Sequence, residues 1–126
     1  MLTLAALALA NALSVPAWEP FWDGDFDVDG SCWPPLRYRY RGTVHVEGGH
    51  SRPYYRLTWQ TDRGRFVGSG VSIGGRLVIE FRRPGGDQGL MSASFERDGV
   101  SVPGWVRGRG GRSDTQCYES WRRRPA

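Results

Sequence analysis

Glycine and proline punctuate this chain so densely that a long helix has room only at its beginning. Eighteen Gly and eight Pro are scattered without a collagen-like period. Beyond the first dozen or so residues they cut the sequence into short segments separated by turn signals. An all-β domain of short strands is the expectation. At 126 residues the chain has length for one core, and 39% hydrophobic with 13% aromatic residues supply the material to fill it. All seventeen basic residues are Arg and none is Lys, which excludes a P-loop and any mechanism that needs a lysine as Schiff base or general base.

The beginning is of a different kind. Leu2 to Leu13 is almost wholly apolar and helix-favouring, and Ser14-Val15-Pro16-Ala17 adds a breaker and small residues before an aromatic, acidic stretch. That order reads as an export signal over residues 1–17, cut before Trp18, ahead of a single domain over 18–126. Ala8-Leu9-Ala10 offers a second cleavage signature, and a positively charged start is missing. The alternative, a buried apolar helix, would need a partner that the β-type remainder hardly provides. No later run approaches the ~18 apolar residues of a membrane helix, so the mature protein is expected to be periplasmic or secreted. In that setting the two cysteines, Cys32 and Cys117, are expected to form a disulfide tying the start of the domain to its end.

Period-two alternation locates the strands. Phe26 and Val28 alternate with Asp25, Asp27 and Asp29 in an acidic strand that Gly30 would end in a turn. Leu36 to Val46 alternate with Arg37, Arg39, Arg41, Thr43, His45 and Glu47, giving the second strand a cationic outer face. Six more follow at meander spacing: Tyr55–Gln60, Phe66–Ile73, Leu77–Phe81, Leu90–Glu96, Ser101–Arg107 and Gln116–Arg122. Eight strands without helical crossovers predict an antiparallel up-and-down barrel, in which first and last strands become neighbours where the cysteines need them. The same periodicity puts Tyr40, Tyr55, Trp59, Phe66, Leu77, Ile79 and Trp105 inside, with Gly68 and Gly70 opposite the large rings.

The series Phe26-Asp27-Val28-Asp29-Gly30, Tyr40-Arg41-Gly42-Thr43-Val44-His45-Val46, Tyr55-Arg56-Leu57-Thr58-Trp59, Phe66-Val67-Gly68-Ser69-Gly70, Leu77-Val78-Ile79, and Asp98-Gly99 with Gly104-Trp105 resembles a family of small exported bacterial domains. The family has a calycin-like (lipocalin-like) β-barrel and no established activity. The resemblance covers about Gly24 to Trp105 and implies a fold and a cell-envelope setting, with no catalytic residue to transfer. Cys32-Trp33-Pro34-Pro35 and the arginine-rich tail with Cys117 depart from the family pattern, so the resemblance does not imply the disulfide.

Motifs for chemistry are weak. Gly70-Val71-Ser72-Ile73-Gly74 matches a nucleophile elbow in letters, but both histidines precede Ser72 and no helix pattern follows Gly74. Asp25, Asp27, Asp29 and Gly30 match half an EF-hand loop, whose twelfth position is here Leu36. His45, Glu47 and His50 fit no zinc spacing, and Glu47, Glu80, Glu96 and Glu119 are scattered carboxylates with no pair singled out for glycoside hydrolysis. No catalytic residue, cofactor or metal is assigned.

The arginines carry more information. Arg37, Arg39 and Arg41 share a strand face, with Arg56 expected beside them on the next strand. Three like charges on alternate positions call for neutralisation, either by Asp25, Asp27 and Asp29 or by an anionic envelope polymer such as lipopolysaccharide. The formal net charge of +4 is too modest to argue for nucleic acid. The reading is a non-enzymatic binding protein of the cell envelope. A periplasmic inhibitor of a lysozyme or protease and a small envelope hydrolase are the alternatives.

Overall fold

The structure, a computed structural model, describes residues 22–33, 37–48, 53–82, 88–97, 99–109 and 112–125, with the backbone alone described for 104–109 and 112–115. The expected signal segment 1–17, Leu36, His50 and the side chain of Trp105 lie outside the described residues.

Eight antiparallel strands form one closed barrel in sequence order: β1 (Gly24–Trp33), β2 (Tyr38–Glu47), β3 (Tyr54–Thr61), β4 (Gly64–Ile73), β5 (Arg76–Arg82), β6 (Gln88–Glu96), β7 (Gly99–Arg109) and β8 (Arg112–Arg123). Each strand pairs with its successor, and β8 returns to β1, so no edge is left open. At the β4–β5 hairpin Gly74 (φ 56°) and Gly75 (φ 79°) both take left-handed backbone, as a primed two-residue turn requires. Cys32 and Cys117 stand directly opposite each other across the β1–β8 seam, Cα atoms 4.1 Å apart, and are disulfide-bonded.

The inward positions read as the alternation predicts. Tyr40, Tyr55, Trp59, Phe66, Leu77 and Ile79 are buried, joined by Trp22, Phe26, Phe81, Met91 and Trp121. A Cβ on Gly68 would press on the Trp59 ring at 3.0 Å, whereas one on Gly70 would meet the aliphatic chains of Leu77 and Ile79.

One expectation is corrected. The first strand does not stop at Gly30; it runs on to Trp33. Gly30 sits in mid-sheet between Tyr40 on β2 and Glu119 on β8. A Cβ there would overlap the Tyr40 ring. Its missing side chain therefore serves an aromatic neighbour, a role that local sequence does not distinguish from a turn.

One end of the barrel is closed by its own chain. Trp22 packs on Phe95 with centroids 4.4 Å apart, and the Arg123 guanidinium lies 4.6 Å from the Phe26 centroid while donating to the Asp23 carbonyl at 2.7 Å.

Candidate functional site

The interior holds a single buried charged side chain among the described residues, Glu119. The disulfide fixes Cys117 as inward-facing, and period two then turns Glu119 and Trp121 inward as well. Its Oε1 accepts from the indole N–H of Trp59 at 3.1 Å and of Trp121 at 2.8 Å, and its Oε2 is hydrogen-bonded to the Tyr40 hydroxyl. Tyr40 reaches the carboxyl by passing over Gly30, the one residue between them in the β2–β1–β8 row. The network thus binds strands β2, β3 and β8 through the centre of the barrel. Burial pushes the Glu119 carboxyl above its ordinary value, and the bonds from Tyr40, Trp121 and Trp59 pull the other way without cancelling it.

This arrangement has the donors of an oxyanion cradle, but the described residues bury it. Glu119 is 4% exposed, and Trp59, Trp121, Phe66 and Phe81 form a chain of ring contacts at 5.6 to 6.4 Å around it. In an eight-stranded barrel the interior is just wide enough for side chains to fill, and here aromatic rings fill it. The other carboxylates, Glu47, Glu80 and Glu96, are exposed on the outer surface. The structure therefore does not bring Glu119 together with any of them. Ser72 lies on β4, a strand that turns into another strand, so the helix an elbow requires is replaced by β5. His45 meets Asp25 at 2.8 Å and Glu47 at 3.6 Å. Among the described residues no group of three His, Cys, Asp or Glu is placed to hold a metal ion.

The acidic strand finds side-chain partners on both sides. Asp29 pairs with Arg39 at 3.1 Å, Asp27 with Arg124 at 2.9 Å, and Asp25 with His45. Arg41 stands opposite Asp29 in the β1–β2 register, but neither it nor Arg37 forms an ion pair with this strand among the described residues. Arg37 places its guanidinium 5.4 Å from the Trp33 centroid, and Arg41 is held by its backbone N–H to the Asp62 carboxylate at 3.1 Å.

Arg56 does not join them. The β2–β3 hairpin sets Glu47 opposite Arg56 and Gly42 opposite Thr61. Arg56 consequently lies about five residues along β3 from the end where Arg41 sits, roughly 17 Å at strand rise. Adjacency in sequence order does not fix longitudinal position in a hairpin; register does.

The topology collects arginines in another way. The β1–β2, β3–β4, β5–β6 and β7–β8 connections all lie at one end of an up-and-down barrel. To that end belong Arg37, Arg39 and Arg41 at the start of β2, Arg63 and Arg65 around the β3–β4 turn, Arg82 at the end of β5, and Arg107, Arg109 and Arg112 in the β7–β8 hairpin. The described acidic residues placed there by the same register are Asp29, Asp62 and Asp114. Aromatic rings line the same end: Trp33 stacks on Tyr118 at 5.0 Å beneath Arg37, and Arg63 lies 4.6 Å from the Tyr38 centroid. The opposite end is close to balance among the described residues, with Asp23, Asp25, Asp27, Glu47 and Glu96 sharing it with Arg56, Arg76, Arg97, Arg122, Arg123 and Arg124.

Compared with known proteins, the chain matches no family model and no curated protein.

Proposed function

We propose that this chain is an exported, non-enzymatic binding protein of the cell envelope that holds an anionic polymer at its arginine-rich end. The observation that carries this reading is the segregation just described: arginines and stacked aromatic rings gather at one end of a barrel whose interior is already filled. A packed interior leaves the outside for recognition, and guanidinium forks suit phosphate, sulfate or carboxylate groups along a polymer. Rings held under guanidinium groups fix those long side chains in place, which lowers the ordering cost of binding. The disulfide fits an oxidising compartment. The eight-stranded meander also fits the calycin-like family that the sequence resembles.

The test is retention on immobilised heparin or lipopolysaccharide across a salt gradient. Replacing Arg37, Arg41 and Arg63 with Gln should lower the eluting salt and flatten the salt dependence by about one unit per lost contact. Replacing Arg76, Arg97 and Arg122 removes equal charge from the other end and should change retention far less. Equal effects from the two triple variants would reduce the interaction to net charge and overturn the reading.

A further inference from the structure

On the side of the barrel formed by β3 to β6 the outer surface is apolar at its centre. Tyr54 is 61% exposed, Val78 44% and Leu90 63%, and Val71 lies between Tyr54 and Val78 in the same cross-strand row. Exposed apolar side chains standing singly need no explanation; here Tyr54, Val71 and Val78 form one row across three adjacent strands, with Leu90 of β6 opposite Glu80 in the next row, a grouping that suits contact with a partner.

The neighbouring row carries charge of both signs. Arg56 on β3 and Glu80 on β5 stand at the same level, one strand to either side of β4. Neither is held by a close ion pair among the described residues. Among the described residues Arg56 makes no ion pair, since Glu47 across from it on β2 turns to His45; Glu80 reaches only Arg82, at 3.9 Å and exposed.

We infer that this face is the interface of a symmetric dimer, with a second copy of the chain as its occupant. A two-fold axis running along β4, between two copies laid face to face, carries β3 of one copy over β5 of the other at the same level. Arg56 of each copy then meets Glu80 of its partner, Tyr54 meets Val78, and Val71 meets its own counterpart. A surface with a cation and an anion placed equally about one strand is self-complementary, the property an isologous interface requires. A partner of single charge sign would leave one of the two unmatched. Four strands at about 4.8 Å spacing give a narrow contact, below the standard interface size, so the dimer is one that dissociates on dilution. Because the axis follows the strand direction, both arginine-rich ends lie on the same side of the pair. The dimer stands independently of what those ends bind.

Sedimentation of the disulfide-bonded protein from about 1 μM to about 1 mM is the test, a range chosen to bracket weak self-association. A reversible monomer–dimer equilibrium without larger species is expected. Arg56→Glu places carboxylates face to face and Glu80→Arg places guanidinium groups face to face, so each should weaken the dimer at least about tenfold. The double exchange restores opposite charges and should return the dimer to within a few-fold of the parent. Both positions are on the outer surface, and far-UV circular dichroism with a thiol assay confirms that each variant is folded. A protein monomeric throughout, a dimer indifferent to the single exchanges, or a double exchange that fails to rescue would each overturn the inference. Heparin retention of monomeric Arg56→Glu reads the polymer proposal separately.

Discussion

Glu119 offers the sharpest test of how the barrel holds together, because it places one titratable group where three strands meet. Replacing it with Ala strands two indole N–H groups and removes the carboxyl partner of the Tyr40 hydroxyl. An orphaned buried donor costs roughly 1 to 3 kcal/mol, so the gross loss is roughly 2 to 6 kcal/mol for the two indoles. Release of the carboxyl from its buried site returns part of this, leaving an expected net loss of about 1 to 4 kcal/mol. Glu119→Gln keeps an acceptor for both indoles and removes the ionisation. The pH dependence then separates the two variants. Burial raises the Glu119 carboxyl above its ordinary 4.5, so between that value and its raised one the native state holds a proton that the unfolded chain has released. More protons on the native state means that stability falls as pH rises through this window and is fully present below it. Urea unfolding of the disulfide-intact protein at intervals from pH 3 to pH 8 should show the parent losing stability relative to Glu119→Gln as pH rises from about 4.5, at up to about 1.4 kcal/mol per pH unit within the window. Groups elsewhere titrate alike in both proteins and cancel in the difference. Parallel curves across that range would show that the carboxyl is not buried as described.

Two further outcomes follow from the packing. Reducing Cys32–Cys117, which spans a sequence separation of 85, should lower stability by up to about 4 to 5 kcal/mol in urea titrations while the β-type circular dichroism persists in water; two thiols alkylated in the native, unreduced protein would contradict the bond. Gly30→Ala drives a methyl group into the Tyr40 ring and should cost about 1 to 3 kcal/mol; the cost should shrink when Tyr40 is also replaced by Leu, and additive losses in that double-mutant cycle would deny the contact.

What the sequence made legible was everything governed by period two and by turn chemistry. Eight strands form in the order alternation predicts, the first running three residues past its expected end, and Cys32 with Cys117 gave an independent check on closure, since a meander brings its first strand beside its last only by closing into a barrel. The misreading at Gly30 has the same origin. Local pattern sees a glycine after three aspartates and supplies a turn, whereas the residue that requires it, Tyr40, is ten positions away on another strand. The Glu119 network lies further out of local reach, because Trp59 comes to it from sixty residues earlier. One signal for it was present: once Cys117 is known to face inward, Glu119 must follow it, and a carboxyl facing an aromatic core demands donors.

The arginines show why a charge pattern is read correctly only after register. Along β2, Arg37, Arg39 and Arg41 form a stripe, and the intuitive completion on β3 is Arg56. Register sends Arg56 away from the stripe, toward Glu47 and the apolar face, and brings Asp62 and Arg63 of the β3–β4 turn to Arg41 instead. In an up-and-down barrel each hairpin returns the chain to the end it left two strands earlier, so residues about 25 to 45 positions apart in sequence share an end while near neighbours across a hairpin can lie at opposite ends. Charge that is distributed evenly in sequence thereby becomes polarised in space. The net charge of +4 understates what a polymer approaching the arginine-rich end would meet, and overstates what it would meet at the other. A surface divided in this way specifies an orientation of binding even where each contact is weak.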